Sequence, residues 1–334
     1  MMSSERRGGT PAVSGGIVGC LLTNMERGEA LALCRIGIVS VLTASLLAHL
    51  GAVTNYFSDA SPLFGAWART AFPSRWSLFF HLSSPEWVRT VFVIGALAHV
   101  GWVLGAWTRI CSVVSVVLWV SMMGRNPLLY GFPDQLGLVL AVLLAFMPTG
   151  RAWSVDAWRR RRAAHAGSAE IPVLVPVWCR HLLQLQLVVV YGATGLLKTG
   201  DTWRESGTAI YYTMVNPLNR HFDFAEGLSA IQPWVLRPLT FSVLVWEVGF
   251  AGFVALLWAR TVYGPRRWLP DLRLGFLGFG VCMHVGIQLT VYVVFFSALM
   301  LCAYACFVTP DEARSMLKRL RAMVVRDRSR ELSQ

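Results

Sequence analysis

From Leu31 to Val308 the chain is a succession of apolar runs separated by short polar segments, each run near the roughly 20 residues that a helix needs to cross a bilayer core. Hydrocarbon offers no water to satisfy backbone N–H and C=O groups, so a lipid-exposed run has to be helical or belong to a closed barrel. The runs lack the two-residue alternation of barrel strands. The sequence therefore predicts an all-α, polytopic integral membrane helix bundle of about eight transmembrane helices, near residues 31–53, 88–107, 110–123, 135–149, 173–198, 235–259, 272–288 and 290–308. The last two share one apolar stretch, long for one helix and short for two, which suggests short, tilted or partly re-entrant segments.

Composition agrees. Only 14% of residues are charged, against roughly 25% in a soluble chain, and the mean hydropathy is +0.53. The expected organisation is a disordered cytoplasmic tail over 1–27, a membrane domain over 28–308 and a basic cytoplasmic tail over 309–334. In that last tail Met316, Leu317, Leu320 and Met323 stand against Lys318, Arg319 and Arg321, the pattern of an amphipathic helix on anionic lipid. Seven cysteines lie singly, giving neither a disulfide framework nor zinc-ligand spacing, and no metal is expected.

The formal net charge is +12, but the bases cluster between apolar runs rather than on a soluble face, so nucleic acid is not an expected partner. Arg151 and Arg159 to Arg162 form one cluster, Arg260, Arg266, Arg267 and Arg273 another, and the segment 314–330 a third. With eight spans all three share one side, cytoplasmic by the positive-inside rule, together with both termini. The opposite segments, near 54–87, 124–134 and 199–234, then form the working face.

Ionisable groups inside hydrocarbon are costly, turn inward and mark function by default. Lys198, at the end of the fifth run, stands out because the chain has only two lysines against 28 arginines. A desolvated ammonium can lose its proton and act as a base, which a guanidinium cannot. Gln184, Tyr191, Thr194 and Lys198 share a helix face, and Gly195 permits close approach of a neighbour. Snorkelling to the headgroups accounts for the lysine equally. His284 and Gln288, one turn apart, read either as a grip on a polar ligand, as partners of Glu247, or as interhelical glue. Arg35 reads as an anion site, as a partner of Glu247 or as a snorkelling end residue. His49, His99 and His181 read as satisfied structural histidines. The loop Gly124-Arg125-Asn126-Pro127-Leu128-Leu129-Tyr130-Gly131 reads as a pocket mouth or as a tight turn.

Taken in order, these segments resemble the HTTM family, the membrane domain shared by vitamin K-dependent gamma-carboxylase and many bacterial proteins. The resemblance covers residues 28–308 and rests on Leu33-Cys34-Arg35-Ile36-Gly37, Trp76-Ser77-Leu78, Ser84-Pro85-Glu86, Arg125-Asn126-Pro127-Leu128 and Trp153-Ser154-Val155-Asp156-Ala157. It continues through Gly195-Leu196-Leu197-Lys198, Trp203, Gly207-Thr208-Ala209, Glu247 and His284. In the carboxylase the lysine of the matching segment deprotonates vitamin K hydroquinone, so the resemblance implies a base role for Lys198. Asn126 matches the first residue of the carboxylase motif Asn-His-Ser-Tyr-Leu-Tyr-Gly, and Tyr130-Gly131 match its end. Pro127 replaces the motif's histidine, and the large lumenal region that engages a protein substrate has no counterpart here, so protein glutamate carboxylation is not expected.

Two functions follow from the resemblance. One is a membrane enzyme using a reduced, vitamin K-like quinone or another lipophilic cofactor, with Lys198 as base and Asn126 and His284 in the reaction. Arg125, Tyr130, Tyr191, Trp203, Glu247, Gln288 and Arg35 would then surround the cofactor. The other is a non-catalytic membrane partner for the maturation, export or sheltering of a small secreted peptide or toxin. Location in a bacterial cytoplasmic (inner) membrane is expected in either case, and a transporter is disfavoured by the absence of a visible inverted repeat.

Overall fold

A computed structural model describes residues 17–62, 65–164, 173–223, 225–264 and 270–331. Every apolar run of the sequence forms helix. In chain order the main elements are α1 (Ile17–Thr23), β1 (Met25–Arg27), α2 (Glu29–Leu47), α3 (Pro85–Leu104), α4 (Thr108–Arg125) and α5 (Phe132–Phe146). They continue with α6 (Val155–Ala163), β2 (Leu174–Pro176), α7 (Trp178–Leu197), α8 (Arg237–Tyr263), α9 (Arg273–Thr290), α10 (Phe296–Ala303) and α11 (Pro310–Glu331).

Among the described residues four helical stretches are long and apolar enough to cross a bilayer: Glu29–Phe57, Pro85–Leu104, Thr108–Arg125 and Glu226–Tyr263. Phe132–Phe146 and Phe296–Phe307 are apolar but shorter. Polar residues dilute the other two: Arg180, His181, Gln184 and Gln186 in α7, and His284 and Gln288 in α9. The long apolar stretch behind α9 and α10 is split by pairing with an outer loop. The Tyr292 amide donates to the Asn219 carbonyl and the His221 amide to the Thr290 carbonyl, and Val294 takes a left-handed φ of 47°.

The tail expected over 1–27 needs correction where it is described. Residues 17–23 are helical, and β1 pairs antiparallel with β2, Met25 opposite Pro176 and Arg27 opposite Leu174. A half-buried Arg180–Glu26 ion pair at 2.7 Å fixes that hairpin to α7. Residues 1–16, most of the linker toward Glu170, Arg266, Arg267 and residues 332–334 lie outside the described residues.

One apolar core joins α2, α5, α7, α8 and α10 around Leu140, Leu144, Leu187, Phe250 and Met300, and a second joins α2, α3 and α4 around Leu46, Phe57, Phe92 and Met122. Each end of the bundle is tied by polar groups. At the end holding α6 and α11, Arg35 donates to the Thr149 and Trp153 carbonyls, both at 2.6 Å. Not the partner of Glu247, which pairs with Lys198, Arg35 is fully buried and holds the α5–α6 turn onto α2. Ser154 caps α6 through the Ala157 amide at 2.9 Å. Asp156 accepts from the Trp107 amide, the Thr108 amide and the Thr108 hydroxyl at 2.7–2.9 Å, satisfying the start of α4 from across the turn.

At the opposite end the buried guanidinium of Arg125 donates to the carbonyls of Phe57, Ser58 and Gly65, at 2.9, 2.6 and 2.6 Å. Gly124 lets α4 lie directly on the Trp76 carbonyl, where a Cβ would collide with backbone. The Ser77 hydroxyl donates to the Ser121 carbonyl at 2.7 Å. Arg125 therefore shapes the segment 57–65.

Burial works against the Asp156 carboxylate, but the bonds from Thr108 and Trp107 outweigh it and hold its pKa below the usual carboxylate value. A depressed carboxylate pKa contributes stability that is present above the unfolded value and is lost as pH falls through the folded one. Asp156→Asn should cost about 1 kcal/mol at neutral pH, the scale of a lost helix cap. Unfolding in detergent at stepped pH checks this: the gap from wild type should close below about pH 4.

Candidate functional site

The polar stripe of α7 is matched rung by rung from neighbouring helices. Nearest the α6 end, Gln184 donates to the Cys306 carbonyl at 2.8 Å and accepts from the Trp258 indole at 2.6 Å. Midway, the Tyr191 hydroxyl meets His284 Nε2 and the Tyr304 hydroxyl, both at 2.6 Å. At the far end Lys198 Nζ reaches both carboxylate oxygens of Glu247 on α8. In hydrocarbon the alternative to each rung is an unsatisfied polar group, so the stripe sets how α7 faces α8, α9 and the turn after α10.

The Lys198–Glu247 pair joins three of the sequence candidates, Lys198, Glu247 and Trp203. Glu247 is buried, its side chain 8% exposed, and the Lys198 side chain is 20% exposed. The Trp203 ring covers the ammonium with its centroid 4.4 Å from Nζ, a favourable cation–π geometry. Arg204 donates to the Lys198 and Leu196 carbonyls at 2.9 and 3.2 Å, ending α7 so that Lys198 is its C-cap. Gly195 makes the pair reachable. A Cβ there would stand 3.0 Å from Glu247 Cβ and 3.2 Å from the Val248 amide, so any larger residue would push the helices apart. Lys198 is thus neither a free headgroup ligand nor an isolated base; it is docked on a carboxylate.

His284 is buried, and its partner is Tyr191, not Glu247 or Gln288. Gln288 lies exposed near the end of α9. Tyr304 completes the His284–Tyr191 network and was missed by sequence reading, because it sits alone in a short helical turn, Tyr304–Phe307, among apolar residues.

Asn126 and Tyr130 belong to a separate cluster. The Asn126 amide donates to the Tyr56 carbonyl at 3.3 Å, and its Oδ1 is buried without a protein partner, as are the Tyr130 hydroxyl and His284 Nδ1. The Tyr130 ring packs on His49 and Trp119, 5.9 and 6.1 Å between centroids. Those two rings, with Ser45, Asp134, Phe296 and Leu299, border a pocket of about 570 Å³ between α2, α5 and the turn before α10. His284 packs against Phe296 at 5.5 Å, on that pocket's wall. Lys198 does not border it. The expected trio of Lys198, Asn126 and His284 is therefore distributed over three neighbourhoods. The histidines expected to be structural are satisfied: His99 accepts from the Trp119 indole, His49 meets the Ser45 carbonyl and His181 the Leu21 carbonyl.

Removing one partner of a buried pair strands the other charge, whereas removing both leaves only a packing change. Glu247→Ala should cost about 3 kcal/mol, at the low end for buried pairs because the lysine is partly exposed. The double variant Lys198→Met/Glu247→Leu should lose less than Glu247→Ala alone. Denaturant or thermal unfolding in micelles reads the difference.

A family model described as the HTTM domain matches residues 28–311, a span that takes in Arg35, Arg125, Asn126, Lys198, Glu247 and His284. No solved structure matches the chain. With apolar helices long enough to cross a bilayer and a family match over most of its length, the chain belongs to the HTTM family of gamma-carboxylase-like membrane proteins.

Proposed function

We propose that the protein binds a lipophilic, hydroxyl-bearing ligand of the reduced-quinone class at the Lys198 end of the bundle, and that Lys198 with Glu247 accepts its proton. The observation that carries this reading is the bundle's one lysine docked on a buried carboxylate beneath an indole. Ammonium with carboxylate and amine with carboxylic acid have the same net charge. A proton moving from Nζ to a Glu247 oxygen therefore prepares an amine without placing new charge in a low-dielectric site. Nζ then takes the ligand's hydroxyl proton, and the restored ammonium lies beside the oxygen that has become negative. The residues at that end fit such a group: Trp203 offers a flat aromatic face over the ammonium, and one fifth of the Lys198 side chain is open beside the buried carboxylate. Bound reduced quinone would supply an acidic hydroxyl and a redox-active ring.

The arrangement in the membrane belongs to the same reading. We place eight crossings in a bacterial cytoplasmic membrane with both termini and the α6 end on the cytoplasmic side, because Arg27, Arg151, Arg159 to Arg162 and α11 gather there. An epitope inserted after Arg162 should stay hidden in intact cells and one inserted after Asn216 should be reached. The reverse pattern would overturn the orientation.

A second reading, a non-catalytic partner for a small secreted peptide, draws on the outer segment, where Leu218 and Trp234 are 87% and 81% exposed. Crosslinking from a photoreactive residue at 218 in producing cells should then trap a peptide rather than lipid alone.

The quinone reading is tested with a photoreactive reduced-quinone analogue and a proton-transfer assay. Labelling should fall on the peptide containing Trp203. Lys198→Arg should keep charge and fold and yet lower turnover by at least about two orders of magnitude, the scale of a lost general base. Labelling at His49 or Tyr130 with turnover unchanged in Lys198→Arg would move the ligand to the other pocket and leave Lys198 a purely structural ion.

A further inference from the structure

At the α6 end a cleft of about 490 Å³ lies between α11, the segment 151–161 and the start of α2. Six bases border it, Arg27, Arg151, Arg161, Arg314, Lys318 and Arg321, against one acid, Glu29, whose carboxylate already faces Arg314 at 3.5 Å. Arg27, Arg151, Lys318 and Arg321 make no side-chain hydrogen bond or ion pair among the described residues. Arg314, Lys318 and Arg321 recur at helical spacing on one face of α11, where like charges repel unless something answers them. The cleft is not uniformly polar. The indoles of Trp153 and Trp158 and the side chain of Leu317 form its apolar border. Trp158, Met316 and Leu320 are all more than half exposed. Indoles and an amphipathic basic helix of this kind settle at the boundary between acyl chains and headgroups.

We propose that this cleft is a binding site for the phosphate of an anionic phospholipid headgroup. Unanswered cations converging from three separate chain segments match a phosphate, which guanidinium groups grip through paired N–H donors. The flanking indoles and exposed apolar residues of α11 match a ligand that carries acyl chains, which free phosphate lacks. The site is independent of the Lys198 chemistry, which lies at the other end of the bundle. Occupied, it would fasten α11 and the 151–161 segment to the start of α2 and make that fastening depend on lipid composition.

The test uses the full chain in neutral detergent, titrated with short-chain phosphatidylglycerol, short-chain phosphatidylcholine and inorganic phosphate, with the rise in melting temperature giving a binding isotherm. Phosphatidylglycerol should stabilise the protein and phosphatidylcholine should not. Arg151→Gln/Lys318→Gln/Arg321→Gln should weaken the phosphatidylglycerol response on the order of a hundredfold, since each base near an anionic surface adds about one kcal/mol. Arg319→Gln, which removes a base of α11 that does not border the cleft, should leave the response intact and so separates the site from general surface charge. An undiminished response in the triple variant, or an equal loss in Arg319→Gln, would overturn the site. Inorganic phosphate stabilising as well as phosphatidylglycerol would overturn the lipid as its ligand.

Discussion

A backbone carbonyl exposed where a helix stops inside an apolar solvent has no water to accept from, and each one left unmet costs several kcal/mol. This bundle meets that demand largely with arginine. Arg35 serves the turn after α5, Arg109 the Ala145 carbonyl, Arg160 the Gly150 carbonyl, Arg125 the segment 57–65, and Arg204 the end of α7. Arg180 and Arg273 reach the Cys306 and Phe307 carbonyls after α10. A guanidinium stays charged, carries five donors in a plane and can serve two or three carbonyls at once, which an ammonium does with poorer geometry. Among these ties Lys198 is the exception in its partner, a carboxylate instead of a carbonyl.

Helix existence was legible because the apolar runs repeat at bilayer length, and the α7 stripe was legible because Gln184, Tyr191, Thr194 and Lys198 share one face by spacing alone. What spacing could not supply was the partner. Arg35 and Glu247 both read as intramembrane charges in want of a counter-ion, yet Arg35 lies at the α6 end of α2 and answers carbonyls, while Glu247 lies toward the opposite end and answers Lys198. A one-dimensional reading places two charges at the same rank of oddness without showing that they sit at opposite ends. The same limit hid Tyr304 and separated His284 from Gln288. Both lie on one side of α9, but only His284 is covered, by Tyr191, Phe296 and Tyr304.

The segments that carried the family resemblance are mostly architectural. Trp76-Ser77-Leu78 docks on Ser121 and Gly124, Ser84 caps α3 at 3.5 Å with Pro85 in the first turn, and Ser154 and Asp156 cap α6 and α4. Motifs of this kind identify a fold because helix ends and crossings tolerate few residue types, and that is separate from chemistry. Lys198, Trp203 and Glu247 differ from them. They form an ion pair under an indole instead of a helix cap, and an arginine in place of Lys198 could meet both oxygens of Glu247 in a paired geometry.

That comparison bears on why the pair stands where it does. Near mid-helix a Lys–Glu pair would be sealed on every side. At the end of α7 the carboxylate is buried against α8 while one fifth of the lysine side chain is open, so the pair has a protected side and an accessible side. The Arg204 bonds that stop α7 at Leu197 place the lysine at this boundary, and Gly195 brings α8 close enough for its carboxylate to arrive. Arginine staples carbonyls, glycine sets the approach of two helices, and together they hold the Lys198–Glu247 pair with its carboxylate buried and its lysine partly open.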